Sequence, residues 1–217
     1  MDCSATTEEL KGADGMTDGY EEILTFWLGE TPDNHETVRE KSSIWFAGNR
    51  NLDREIRTRF LARLIECMHG ELADWQELPR GRLASIILLD QFSRNIHRGS
   101  AEAFSQDQLA QELVLRGLKD GDESSLGIVE RCFYYLPLHH SERIERQSTV
   151  VELFAALLDE TPAELRRTVK GFHRGAIEHR DVIERFGRFP HRNQVLRRES
   201  TPDEVEYLQA GGKRYGQ

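Results

Sequence analysis

Leu83-Ala84-Ser85-Ile86-Ile87-Leu88-Leu89-Asp90-Gln91-Phe92-Ser93-Arg94-Asn95-Ile96 decides the fold of this chain. The stretch is apolar nearly all the way round, the pattern of a helix buried on most sides. A central parallel strand also reads as a continuous apolar run. This one is too long for a strand, and Asp90-Gln91 interrupts it. Gly99 stops it. A helix with no polar face needs other helices on every side.

The rest of the chain supplies them. Ile23, Leu24, Trp27 and Leu28 recur at helical spacing before Gly29. Trp45 and Phe46 read as core anchors. Asn51 or Asp53 caps a helix carrying Ile56, Phe60, Leu64 and Met68, closed by Gly70. Trp75 lies in a connection, and Pro79 and Gly81 mark a turn. Ser105 with Gln108 fits a capping box for a helix through Leu118. Ile128 to Leu136 is helical and Pro137 ends it. Ser141 opens the next helix. Thr161-Pro162-Ala163-Glu164 and Thr201-Pro202-Asp203-Glu204 both read as helix starts. The helix begun at Thr161 runs to Phe186, with Gly187 as its stop and Gly171 and Gly175 weakening or bending its middle. No segment alternates like a strand. The expectation is one all-α domain over residues 19–212 behind a loose acidic tail, residues 1–18.

The chain has 217 residues, net charge -9, 38% hydrophobic and 31% charged residues. That is enough to bury a core, and the acidity argues against general nucleic-acid binding. The charge is uneven. Eleven acidic residues in positions 1–40 face Lys11 and Arg39, whereas positions 166–198 hold ten Lys/Arg against Glu178, Asp181 and Glu184. Three cysteines, Cys3, Cys67 and Cys132, have no paired spacing, which excludes a disulfide framework or zinc ribbon. They suit a reducing, cytoplasmic setting. No signal-peptide pattern is present, and the longest apolar run falls far short of the roughly 20 residues of a membrane span.

Three polar stretches stand in apolar settings: Asp90 to Asn95, His139-His140-Ser141-Glu142, and Arg185-Phe186-Gly187-Arg188-Phe189-Pro190-His191-Arg192-Asn193. His179 shares a face with Phe172, Ala176, Ile183 and Phe186. It is either a core histidine bonded to a backbone carbonyl or part of a site. Gln147 shares a face with Ile144, Val151, Phe154 and Leu158. Glu142 falls in the first helical turn, where the macrodipole favours a carboxylate. Asp90 and Arg94, four apart, suit an ion pair, and buried charges need partners. Arg192 or His191 is placed to meet Asp90, and Glu142 to meet Arg94. Convergence of the three stretches on one site accounts for all of them; a polar network that only fixes helix packing is the alternative.

Arginine forks match carboxylate or phosphate, so Arg94, Arg185, Arg188 and Arg192 suit an anion clamp, with Asn95, Glu142, Gln147 and Asn193 as further ligand-binding groups. His140, His179 and His191, with Asp90, suit proton transfer near neutral pH. No metal is assigned: the histidines lack a metal-ligand spacing such as His-Glu-x-x-His. No P-loop or dinucleotide fingerprint appears, and no cofactor is expected. Ser93, Ser141 and the cysteines carry no nucleophile motif.

Leu89 to Ile96 with Arg98-Gly99, Tyr135-Leu136-Pro137-Leu138 with His140-Ser141-Glu142, and His179 with Arg185 to Asn193 resemble the signature segments of the uncharacterised bacterial family DUF924. Trp27, Trp45-Phe46 and Ser200 to Glu204 also fit, so the likeness spans about residues 20–210. Two positions depart. Ser93 stands where such sequences often have proline, and Leu196-Arg197-Arg198 where they often have Leu-Gly-Arg. The resemblance implies a tetratricopeptide-repeat-like helical array and supplies no activity. Two functions then compete. One is an enclosed pocket for a small anionic ligand, with acid-base chemistry if it is an enzyme. The other is a scaffold holding a peptide or protein partner in a groove between helices.

Overall fold

A computed structural model describes residues 19–45 and 48–215. The acidic tail and Phe46 therefore lie outside the described residues. Those described form helices joined by turns, with no strand among them. The elements are α1 (19–28), α2 (His35–Trp45), α3 (Arg50–Met68), α4 (Pro79–Ile86), α5 (Ser93–Ile96), α6 (Asp107–Asp120), α7 (Ile128–His139), α8 (Ile144–Glu160), α9 (Arg166–Phe186) and α10 (Pro202–Gln209). Short 3-10 turns sit at Ala73–Glu77, Ala101–Phe104, Asp122–Ser125 and Pro190–Arg192.

The deciding stretch runs as one helical rod from Pro79 to Ile96, and every residue from Gly81 to Ile96 is buried. Its middle, Ile87–Phe92, widens into a π turn, with Ser93 N–H bonding back to Leu88 O. No stripe of apolar residues sets the register of such a rod, so nothing in the sequence marks the widening. It falls on Asp90. Pro79 occupies the first helical position instead of a turn, where its missing N–H costs nothing. Gly81 lies inside the helix. A Cβ there would stand 2.3 Å from Trp75 O, so the glycine permits the close approach of the Ala73–Glu77 turn.

Around this rod pack aromatic rings in edge-on contacts. Trp27 meets Phe92 at 5.4 Å and Phe133 at 6.2 Å, and Phe133 meets Trp45 and Phe172. Each such ring contributes on the order of 1.5–3 kcal/mol by burial. α8 and α9 form a long hairpin against α7. Val182, Ile183 and Phe189 form a smaller separate core with Phe186, Tyr207 and Tyr215, which holds α10 and the chain after it.

Several helix ends differ from expectation. Asn49, not Asn51 or Asp53, caps α3, and Met68 is exposed while Cys67 is buried. α6 starts at Asp107 without a side-chain cap; Ser105 Oγ donates to Glu102 O instead. Pro137 sits inside α7, which continues to His139. α9 starts at Arg166, because Thr161 Oγ1 donates back to Leu157 O and finishes α8 rather than opening α9. α9 is continuous through Gly171 and Gly175 and ends at Gly187 with φ +69°. The Thr201 start is as read, with a reciprocal cap between Thr201 and Glu204.

Candidate functional site

The Ala101–Phe104 turn with the start of α6, the α7–α8 turn and Arg192 of the Pro190–Arg192 turn line a cleft of about 580 Å³, and the buried rod lies behind His140. Asp90, fully buried, is at the back. Its Oδ1 accepts from His140 Nδ1 at 2.7 Å and lies 3.3 Å from Arg94 Nη2, and Oδ2 accepts from Gln91 Nε2 at 2.6 Å. Its partner is therefore His140, not His191 or Arg192. Burial opposes the Asp90 charge, yet His140 and Arg94 hold its carboxyl well below the ordinary range. Burial lowers His140, and Asp90 offsets part of that. An ionised Asp90 beside a neutral His140 protonated on Nδ1 satisfies both. His140 lines the cleft, and its Nε2 meets no acceptor or donor among the described residues.

The turn that presents His140 is tied down from within. Gln147, fully buried, donates from Nε2 to His139 O at 2.8 Å and to Ser141 O at 2.6 Å. Gln147 is a brace for the turn. The buried face of α8 is Gln147, Val150, Phe154 and Leu157, rotated from the face predicted, and Ile144 is exposed. α8 begins at Ile144, so Glu142 precedes the helix. It accepts from Phe189 N–H at 2.8 Å and from Arg198 at 2.6 and 3.0 Å, and has no contact with Arg94.

Arg94 donates to Asp107 at 2.8 Å and to Ala103 O at 2.9 Å. Arg192 donates to the other Asp107 oxygen at 3.1 Å and to His140 O at 3.0 Å. Its guanidinium lies 4.5 Å from the ring centres of both Phe104 and Phe189. Burial lowers its pKa to about 10, against the pull of Asp107. Asp107 was not singled out in the sequence, where a first-turn aspartate looks like ordinary dipole compensation. Here it bridges two buried arginines.

Arg188 and Asn193 belong to a different cluster. Arg188 pairs through two nitrogens with Glu204 at 2.6 and 2.8 Å. Asn193 donates to Glu204 and Ser200 and accepts from Arg198 Nε. Arg185 is exposed and lies over Phe186. Asn95 donates to Asp53 at 2.9 Å, toward α3 and away from the cleft.

His179 Nδ1 bonds to Gly175 O at 2.8 Å, the core-histidine arrangement. Its ring packs 3.8 Å from His139 and 3.8 Å from Tyr215. His191 packs beside Phe189 and Tyr215, and its Nδ1 has no partner. His139 is buried with neither ring nitrogen in a well-formed hydrogen bond among the described residues, though the Gly175 backbone lies near its ring. Burial brings His139 and His191 down to about 3 and His179 well below its ordinary value. His139 was quoted with its neighbours but not assigned a role, because a helix-end histidine shows no tertiary neighbour in sequence.

Two cations at the cleft remain. Arg146, half-buried, bonds the side chain of Gln111 and has no carboxylate within ion-pair distance among the described residues. Arg143, exposed, reaches only Glu145 at 4.0 Å. Neither was chosen from the sequence, where basic residues in an early turn look solvated. Among the described residues, no group of three or more His, Cys, Asp or Glu is arranged to hold a metal ion. Cys67 and Cys132 are buried thiols whose pKa burial pushes up, Cys67 to about 11, so neither is an activated nucleophile. No helix is long and apolar enough to cross a membrane among the described residues.

Among curated proteins none matches the chain. A solved structure of a protein of unknown function from Agrobacterium tumefaciens is similar to it, with 32% identity, a TM-score of 0.77, and coverage of 90% of this chain and 99% of that one. The signature of bacterial proteins of unknown function designated DUF924 matches residues 23–212, and the chain belongs to that family.

Proposed function

We propose that the cleft binds a small anionic molecule and that His140 exchanges a proton with it. The observation that carries this reading is the Asp90–His140 pair opening onto the cleft. A buried carboxylate fixes the imidazole tautomer and leaves Nε2 of a cleft-lining residue without a partner among the described residues, the arrangement of a general base or of a hydrogen-bond acceptor. Arg143 and Arg146 supply positive charge that no buried carboxylate cancels. Asp107 and Glu142 also line the cleft, but each is engaged by arginine. In the predicted clamp, Arg94, Arg188 and Arg192 are paired with carboxylates of the protein and Arg185 is exposed over Phe186, so the anion reading rests on Arg143 and Arg146.

The test is thermal unfolding of the full chain across a panel of small carboxylates, phosphates and sulfate at constant ionic strength. A ligand that binds only the folded state raises the midpoint by mass action. Stabilisation by at least one class, lost in Arg146→Ala and altered in pH dependence by His140→Asn, is the expected result. No response to any anion at millimolar concentration overturns the reading. The tetratricopeptide-like scaffold is the second reading, drawn from the long α8–α9 hairpin. It requires a peptide ligand and leaves small anions without effect.

A further inference from the structure

We propose that the chain after α10, from Gly211 to Tyr215, is an acid-sensitive strap that lies over His179 and His191 and opens when they take up protons. The device is independent of ligand binding at the cleft. It begins with a reversal of the chain. Gly211 follows α10 with φ +88°, a conformation glycine adopts without strain. A Cβ on Gly212 would stand 2.5 Å from the Tyr207 ring, so the backbone folds back against α10 itself. Gly212 N–H donates to Tyr207 O at 2.9 Å, and Lys213 N–H donates to Tyr207 Oη at 3.2 Å. Lys213 Nζ pairs with Glu178 on α9. Tyr215 then sets its ring 3.8 Å from His179 and 5.2 Å from His191, with Phe189 at 5.9 Å. Its φ of +49° lies in the left-handed region, which is unfavourable for a tyrosine. A segment fastened by few contacts and carrying backbone strain is one that opens locally.

The rings beneath it have no counter-charge. His179 is 7% exposed, His191 is half-buried with its Nδ1 unpartnered, and His139 packs 3.8 Å from His179. Among the described residues the histidine ion pairs are His69–Glu71 and His140–Asp90, so none of these three has a carboxylate within ion-pair distance. The charges that act on them are positive. Arg192 acts on both His179 and His191, Arg94 and Arg198 act on His191, and a protonated His140 would add to all of these. Glu142, bonded to the nearby Phe189 N–H, is held by Arg198. On the strap side, Glu178 and Asp181 of α9 and Tyr207 of α10 act on Tyr215, and Glu178 is taken by Lys213. A proton on either imidazole is therefore a poorly solvated cation among arginines. Lifting Tyr215 brings water to both rings and removes that penalty. Under the strap the rings are held neutral, and once uncovered they titrate near about 6.5. Closure is thus full above that value and declines as pH falls below it, by up to about tenfold in population per pH unit for each histidine uncovered. The Pro190–Arg192 turn carries His191 under the strap and Arg192, bonded to His140 O, at the cleft, so strap and cleft share one turn.

Hydrogen–deuterium exchange of the full chain at pH 7.5, 6.5 and 5.5, read by mass spectrometry and corrected for intrinsic exchange, tests this. Segment 208–215 is expected to lose protection about tenfold to a hundredfold between pH 6.5 and 5.5, ahead of the rod from Leu83 to Ile96. In His191→Phe a ring remains against Phe189 and Tyr215 but cannot titrate, and the loss should shrink by up to about tenfold. Glu178→Gln unfastens Lys213. It should lower protection at every pH and leave the pH slope as in the parent. Strap protection that does not change with pH overturns the proposal. So does protection lost only in step with the rod, because that is global unfolding. An unchanged slope in His191→Phe overturns the histidine trigger, and a slope flattened by Glu178→Gln assigns the response to the Lys213 pair instead and overturns it as well.

Discussion

The protein contains two polar clusters that adjoin in sequence at Arg192-Asn193, and they differ in how their donors are matched. Around Glu204, Arg188 and Asn193 give their hydrogen bonds to one carboxylate, and Arg198 links Asn193 to Glu142 and Phe189 O. Thr201 closes the same carboxylate into a helix cap. Around His140 the matching stops. Among the described residues, His140 Nε2 meets no hydrogen-bond partner, Arg146 meets no carboxylate, and Arg143 reaches the exposed Glu145 at 4.0 Å. A closed network stabilises helix packing, whereas an open one facing a cavity has capacity left for a ligand. The same residue types thus serve two ends, and only the partner list separates them.

Acid should break the comparison first, and hardest. His139, His179 and His191 are held neutral in the fold, with pKa about 3 for the first and last and well below ordinary for the second. The unfolded chain takes up these protons near pH 6.5, so stability is full above that value and declines as pH falls toward 3. Each histidine contributes a slope of up to about 1.4 kcal/mol per pH unit. Urea midpoints measured from pH 7 to pH 4 should fall steeply, and a flat profile refutes the buried neutral cluster.

Next in size is Asp90→Ala. It leaves the Arg94 charge and the His140 Nδ1–H inside the protein with part of their compensation removed, a loss of about 3–5 kcal/mol. Glu204→Ala removes the hub of the closed network and one half of a capping box. Denaturant unfolding should register about 2–3 kcal/mol, with binding at the cleft unchanged. A change in anion binding there would erase the distinction between the two clusters.

The smallest effect is a gain. Arg197 has φ +54°, in the left-handed region that favours glycine, and it occupies the position where Leu-Gly-Arg is the common pattern. Arg197→Gly should raise stability by up to about 1 kcal/mol. Its neighbour Arg198 has the opposite character, since its guanidinium ties Glu142 to the Asn193 turn. Only Arg197 departs from that pattern, and Arg198 keeps its arginine.

Much of the fold was legible because burial leaves a periodic trace. The rod from Leu83 to Ile96, the Thr201 cap and the Gly187 stop follow from apolar runs and local hydrogen-bond chemistry. The Asp90–Arg94 pair was legible too, since four residues on a helix are near neighbours. Short-range rules failed where a distant partner competed. Thr161 turned back to Leu157, and Gln147 rotated the buried face of α8 by bonding the turn ahead of it.

By itself, then, the sequence determined an all-helical chain around one buried rod and the polar stretches that meet beside it. Tertiary structure alone decided the pairing. Asp90 met His140 across 50 positions, Arg192 met Asp107 across 85, and Glu142 met Arg198 across 56. The reason is physical. A buried charge must find a counter-charge, but which one lies within about 3 Å depends on how helices cross and where a π turn aims a side chain. That geometry left Arg143 and Arg146, the two arginines the sequence presents as ordinary solvated residues, as the cations at the cleft without a buried carboxylate partner among the described residues.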